Sequence, residues 1–559
     1  MPSLDGGTEI TMTNQKKVIY TVIAAVLGLL IIGAAYYIAL PPINVYAIEF
    51  WVFLMVSIAI IGVPIAFIFS WDSFVRASGR GRKLKVVNVK FSKLTKNILA
   101  TLICLPIAVI LFGSLLSSEF LNATDYAQII EVENRTFETD MPESTSITNI
   151  ALMDTPSAIE IGGRVLSSSQ YEFSQHYTQI NYKGAPKKVS NLEYTGFFKW
   201  INNRDTGLPG FVMVDPVNSS AEYVLLKNPM KYVDSAYFGD DLMRRLRFDY
   251  PTKIFDEVYF EIDEEGDPWF IVSCLKPKIG LFGGYDVNEV ILFNPCDGSS
   301  EIFDVSETPS WIDIVYTGDL ACQKYNWLGL YHDGFWNSVI GKIDCRQTTD
   351  DFGYITLGDD VWYFTGVTSL SNDASNIGFI LSNARTGEYK FYPVIGAEEH
   401  SAMGSAEGEV QEKGYTASFP SLVNIEGEPT YIMVLKDDNR IVRLYALVNV
   451  ENYSIVATGE TQKDVMDAYR QKLITNGIIE GGSISDESTE EHTVAVADVR
   501  LAQLGGESVV YITALDGKVY KGYLGVDEGL ILVRVGDVLK IKCTESDIKE
   551  LYNIVSWSK

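Results

Sequence analysis

Three stretches without a single Asp, Glu, Lys or Arg dominate the start of the chain: Val18–Leu40, Phe50–Trp71 and Asn97–Ser118. Each reaches the roughly 20 residues that carry a helix across a bilayer. The segment between the second and third, Trp71–Lys96, holds Arg76, Arg80, Arg82, Lys83, Lys85, Lys90, Lys93 and Lys96 against one acid, Asp72. Positive residues close to spans resist translocation, so this loop is expected in the cytoplasm. Lys16 and Lys17 precede the first span, and the link PPINVY after it is uncharged. The expected topology has three crossings of the plasma membrane, a cytoplasmic N-terminus and an extracytoplasmic chain after Ser118. A cleaved signal peptide is the rival reading of the first span, but its apolar run is longer than the usual signal core. No charged residue lies within the spans, which favours an anchor over an ion path.

Charge divides at the same place. Residues through Ser117 balance at +6, while the remainder balances at −33. An acidic body argues against nucleic acid, whose binding rests on phosphate neutralisation. It also argues against flat adsorption on anionic lipid. Excess negative charge keeps such a body dispersed. Cys274/Cys296 and Cys322/Cys345 are similarly spaced pairs, compatible with disulfides outside the cytoplasm or with free buried thiols.

The remainder reads as α+β. After the anchor (1–118), a membrane-proximal β-rich region (119–206) leads into an α+β body (207–477). An acidic linker (478–492) and a small β-barrel of OB or SH3 type (493–559) follow. Within the body a loose repeat enters an apolar strand through a glycine, at Gly266 (GDPWFIVSCL), Gly358 (GDDVWYFTGV) and Gly427 (GEPTYIMVLK), with a weaker copy at Gly207. Asp297-Gly298, Thr386-Gly387 and Asp437-Asp438-Asn439 are expected hairpin turns. Thr461 is an expected N-cap, with Val465, Met466, Tyr469 and Leu473 behind it on one helical face. Asp240–Phe248 and Glu398–Gln411 are further helix candidates. In the barrel, strands are expected in VAVADVRLA, SVVYITAL, KVYKGYL, LILVRV and VLKIKC.

A helix, a strand such as PWFIV or PTYIMV, and a strand ending in a phrase such as NARTGEYKFY together resemble the PepSY module. Ile380–Tyr392 (ILSNARTGEYKFY) carries the likeness best and Pro429–Val450 second. The resemblance spans at most about half the chain in loosely spaced copies, with inserts that depart from the compact family pattern. PepSY modules occur in protease propeptides and membrane-anchored envelope proteins, where they restrain enzymes. The resemblance implies a non-catalytic binding role.

No motif designates a catalytic residue, a metal site or a cofactor. The four histidines, His176, His332, His400 and His492, lie far apart. GLFGG (280–284) lacks the Gly-Lys-Ser/Thr ending of a phosphate loop. The acid run Asp256–Asp267 reads as a charged hairpin tip, and Glu398–Ser401 as a polar helix face. The densest unusual composition is YNWLGLYHDGFW (325–336). Its Tyr325, Trp327, Tyr331, His332 and Trp336 form the candidate binding site, since aromatics beside polar groups suit peptide or sugar. The competing reading is a core segment. The expected function is a membrane-anchored, non-enzymatic binding, scaffolding or regulatory module with a protein, peptide or peptidoglycan partner. An envelope hydrolase and an accessory subunit of a membrane complex are the alternatives.

Overall fold

The computed structural model describes residues 8–9, 12–70, 75–77, 84–86, 93–144, 150–166, 171–370, 376–438, 440–479, 490–504, 507–524, 527–546 and 549–559. Its helices, in chain order, begin with α1 (Asn14–Ala39), α2 (Ile48–Phe69), α3 (Lys93–Leu116), α4 (Glu119–Ala127) and α5 (Phe137–Asp140). They continue with α6 (Thr155–Gly163), α7 (Phe197–Asn203), α8 (Leu242–Asp249), α9 (Gly318–Tyr331), α10 (Glu399–Glu409) and α11 (Gln462–Thr475). The first three are long and apolar enough to cross a membrane. The link 40–47 and the end of α3 emerge where the body begins, so connectivity puts the basic loop at the opposite end of the bundle. Most of that loop, and linker residues 480–489, lie outside the described residues.

Four sheets follow, each with an antiparallel four-stranded core introduced by a helix. The first, after α6, is built on Thr178–Tyr182, Ala185–Tyr194, Leu208–Asp215 and Ser220–Met230, with Tyr171–Phe173 at its edge. The second, after α8, contains Ile254–Ile262, Pro268–Ile279, Gly283–Phe293 and Ser300–Asp304. The third, after α9, is built on Gly353–Leu357, Asp360–Ser369, Asn376–Asn383 and Tyr389–Tyr392. The fourth, after α10, is built on Ser421–Ile425, Glu428–Lys436, Val442–Asn449 and Val456–Gly459. Val132–Asn134, close behind the anchor, pairs in parallel with Tyr389–Tyr392. Strands on both sides of position 206 share the first sheet.

The glycine entries hold in modified form. Gly266, Gly358 and Gly427 all have positive φ and precede the second core strand of their sheets. The equivalent position in the first sheet is Gly184, not Gly207. Lys183 and Gly184 (φ 55° and 75°) close Tyr182 onto Ala185, as Glu426 and Gly427 (φ 56° and 84°) close Ile425 onto Glu428. Two consecutive left-handed residues match the right-handed twist of the flanking strands. FVMVD, expected to open the copy at Gly207, forms part of the third core strand.

A second device recurs at the hairpin from third to fourth core strand. Asp215 Oδ1 accepts from the N–H groups of Val217 and Asn218, and Asn294 Oδ1 from Cys296 N–H. Asn383 Oδ1 accepts from Arg385 and Thr386, and Asn449 Oδ1 from Asn452. The side chain of an Asp or Asn thus mimics a backbone turn in every sheet. Asp297-Gly298 and Thr386-Gly387 fall in these turns as expected, while Asn439 lies outside the described residues.

The sheets share cores in pairs. Phe211 of the first packs on Phe260 of the second at 5.7 Å between centroids, and Phe379 of the third on Tyr431 of the fourth at 5.8 Å. Thr461 caps α11 by accepting from Asp464 N–H, and Val465, Met466, Tyr469 and Leu473 bury its inner face against the fourth sheet. All six cysteines are free thiols, so neither spaced pair is bridged.

A closed five-stranded barrel ends the chain, in the order Glu490–Leu504, Glu507–Ala514, Val519–Tyr523, Leu551–Ser558, Val538–Glu545 and back to the first. Val519–Tyr523 and Leu551–Ser558 run parallel, an arrangement that fits an OB-like barrel. Four of the five expected runs supply strands. LILVRV instead begins in a 3-10 helix, Glu528–Leu532, because Asp527 accepts from Gly529 N–H and turns the chain. Leu530 and Val533, three apart, then face the barrel core. The fifth strand is Leu551–Ser558.

Candidate functional site

The most elaborate meeting of elements is the seat of the body on the anchor. Ser117 Oγ, just past α3, accepts from the N–H groups of Leu281 and Phe282 at 2.8 and 2.9 Å. Tyr126 OH donates to Ser117 O at 2.6 Å, and burial pushes its phenol up to about 12, so it remains a donor. The glycine-rich stretch 280–284 is therefore a hairpin tip fitted to the end of a span, not a phosphate loop. A Cβ on Gly113 would lie 2.5 Å from the Phe282 ring, so a larger residue there would push the hairpin tip off the span. On the other side of the seat, Ile43 N–H donates to Pro251 O and Asn44 Nδ2 to Thr252 O, both at 2.7 Å. Tyr285 OH donates to Tyr46 O at 2.6 Å. Arg244 Nε donates to Tyr37 O and Arg247 Nε to Leu40 O, satisfying carbonyls that the end of α1 leaves open.

The expected aromatic site divides across this seat. Tyr325 is fully buried on α9, and Trp327 is buried against Tyr126 at 4.9 Å between centroids. Tyr331 is half-buried, while His332 is exposed beside Asp333 at 3.3 Å. Trp336 is 62% exposed. The five residues therefore do not form one open binding face: Tyr325 and Trp327 belong to the core. Phe335 and Trp336 instead meet Phe120, which follows α3 by four residues, at 5.2 and 5.9 Å. Val339, Ile340 and Ile343 continue this apolar surface, all exposed. Phe248, also exposed, packs on Tyr36 of α1 at 6.0 Å, while the exposed Phe198 and Phe238 cluster with Phe197 of α7. Helical phase alone did not reveal that Trp336 and Phe248 meet residues at the ends of the spans.

Several ionisable groups away from the seat are engaged in local hydrogen bonds. Glu398, Glu399, His400 and Ser401 diverge: Glu399 is buried and accepts from Gly366 N–H at 2.6 Å, while His400 is exposed. Asp263 gathers the N–H groups of Glu265 and Asp267 and the Trp269 indole into a hairpin tip, as the acid run suggested. His492 faces Tyr520 OH at 2.8 Å, Glu490 at 3.0 Å and Cys543 Sγ at 3.5 Å. Burial pushes the Cys543 thiol up to about 11, opposite to the depression that a nucleophilic thiolate needs. Glu261 and Asp313 form a buried acid pair. Glu261 accepts from the N–H groups of Asp313 and Ile314, both at 2.9 Å, and Asp313 from Asn181 N–H at 2.8 Å. Burial raises both carboxyl groups, and their proximity adds to the rise on Glu261. Among the described residues, no three His, Cys, Asp or Glu side chains converge as metal ligands.

No protein-family model and no curated protein matches the chain. Among solved structures, the alpha-L-arabinofuranosidase from Lactobacillus brevis aligns with 66% of this chain and 90% of its own length. Its identity of 8% and TM-score of 0.16 carry no argument about fold or activity.

Proposed function

We propose that the chain is a membrane-anchored extracytoplasmic binding and scaffolding protein of the cell envelope, with its body resting on the bilayer. The seat carries this reading. Backbone and side-chain hydrogen bonds tie the second sheet and α8 to the body-side ends of the first and third spans and to the link before the second. A body fixed in this way holds its surface at a set height and orientation above the membrane. The basic loop at the far end of the bundle favours the extracytoplasmic side for the body. Trp336, which meets Phe120 just past α3, and Phe248, which meets Tyr36 near the end of α1, would then lie where aromatics settle in the lipid interface.

The repetition of a helix followed by an antiparallel meander supports the PepSY-like reading, as does the Asx-closed hairpin in each sheet. ILSNARTGEYKFY covers that hairpin in the third sheet. The family likeness brings with it restraint of a partner rather than chemistry on a substrate.

Orientation is tested with cysteines introduced one at a time at Ser78 and Ser454 and an impermeant maleimide on intact cells. Labelling above the parent protein is expected at Ser454 and not at Ser78. The reverse pattern would overturn the extracytoplasmic body.

A further inference from the structure

Lysine 188 is misplaced for an ordinary strand residue. Its neighbour Lys187 points to the surface side and pairs with Asp215 at 2.8 Å, but Lys188 turns inward and is 3% exposed. Among the described residues no acceptor lies within hydrogen-bond or ion-pair reach of its ammonium. Asp154, the nearest carboxylate to influence it, is already held by Lys436 and by Ser157 N–H. The ring of Tyr354 lies 5.2 Å from Lys188 Nζ. Directly across the ladder from Lys188 is Gln179, equally buried, whose Nε2 has no acceptor either. Opposed residues in a ladder project to the same face. Both line a cavity of about 300 Å³, open to solvent on one side and otherwise walled by 151–156 at the start of α6, by 351–354 at the edge of the third sheet and by 419–421 entering the fourth.

Gln179 Nε2 is a buried amide donor without an acceptor, and Lys188 Nζ, which faces the Tyr354 ring and the cavity, has no anionic or carbonyl partner among the described residues; a single acceptor placed between them would serve both. We propose that this cavity binds the carboxylate group of a small organic ligand, with Lys188 Nζ and Gln179 Nε2 donating to its oxygens. One formal positive charge, with the carboxylates of Asp154 and Asp351 close by, suits a monoanion better than a phosphate dianion. The volume matches the lower end of small-molecule sites, enough for a ligand the size of an acylated amino acid. Burial pushes Lys188 down to about 8, which leaves it mostly cationic at neutral pH and available to an anion. Because three of the four sheets contribute to the walls, an occupant would also brace them against one another. The proposal is independent of which side of the membrane the body occupies.

The test uses the full chain in lipid nanodiscs, with thermal unfolding and equilibrium titration against N-acetylglycine, its neutral amide, and inorganic phosphate at matched ionic strength. N-acetylglycine is expected to bind and raise the melting temperature, while the amide and phosphate do so at least tenfold more weakly. Lys188→Met, which fills the same space without charge, is expected to fold and to abolish binding. Gln179→Leu is expected to weaken it at least fivefold and decides the matter if Lys188→Met does not fold. The proposal is overturned by absent N-acetylglycine binding, by equal binding of the amide or phosphate, or by binding that survives in the variant that folds.

Discussion

Arg247 Nε donates to the carbonyl of Leu40 at 2.9 Å, so a buried arginine of α8 closes the end of the first membrane span. Leu40 itself is left-handed (φ 49°), which presents its carbonyl to the body. The same guanidinium donates through Nη1 to Lys253 O at 2.6 Å and lies 4.2 Å from the Phe255 ring.

Arg247→Met is therefore expected to keep the apolar contact and orphan two carbonyls. Each unsatisfied buried group costs about 1–3 kcal/mol. Urea unfolding of the full chain in nanodiscs should show that loss. Protease cleavage near Leu40–Tyr46 should rise with it, and unchanged protection would mean that the seat does not depend on this residue.

Trp327 and Trp336 separate core from surface within one sequence motif. Trp327→Ala should cost about 3–5 kcal/mol, as for a large buried aromatic. Trp336→Ala should leave unfolding nearly unchanged. A nitroxide at position 336 should be quenched by lipid-soluble oxygen more than by aqueous nickel chelate if this residue sits in the bilayer interface.

The acid pair Glu261–Asp313 makes stability depend on pH. In the unfolded chain both carboxyls lose their protons in the ordinary range near pH 4. In the folded chain burial retains those protons to higher pH. The folded state then binds more protons than the unfolded one, so stability is full at low pH and falls as pH rises through the raised folded values. Melting temperature should decline from pH 5 to pH 8. Asp313→Asn, which keeps the acceptor for Asn181, should flatten the decline, with Arg385 and Asp360 as the other charges acting on Asp313.

Asn383 tests the repeated turn. It accepts from Arg385 and Thr386 and donates to Asp360 at 2.9 Å, while Asp360 also holds Arg385. Asn383→Ala should cost more than Asn452→Ala, by about 1–2 kcal/mol, because Asn452 sits at an exposed tip. Equal costs in urea titrations would show that the turn is set by the strands alone.

The sequence made some of this visible and concealed the rest for physical reasons. Spans are legible because every residue in a lipid-facing helix must be uncharged over a fixed length. Thr461 and the four apolar positions behind it are legible because cap and period agree. The first copy of the repeat escaped because the strand after Lys183-Gly184 opens APKKVSN, with two lysines and little apolar run, whereas Gly266, Gly358 and Gly427 lie before conspicuous apolar strands. Trp327 and Trp336 looked alike because a helix reveals its phase, not what packs on either side. Lys188 was invisible for a different reason: a lysine in a strand is ordinarily a surface residue, and only three-dimensional closure by three distant loops buries it. LILVRV alternates poorly and is apolar enough for strand or turn, so Asp527 decides it.

The parallel pairing of Val132–Asn134 with Tyr389–Tyr392 also has a bearing on biogenesis. The first stretch follows the last span and leaves the ribosome early; its partner is translated only after two whole sheets and most of a third. Until then, that edge of the nascent body has exposed backbone donors and acceptors beside the bilayer. A truncation ending before Tyr389 would make this interval permanent, and quality-control proteases acting at the membrane would encounter an open strand where the mature protein presents a paired one.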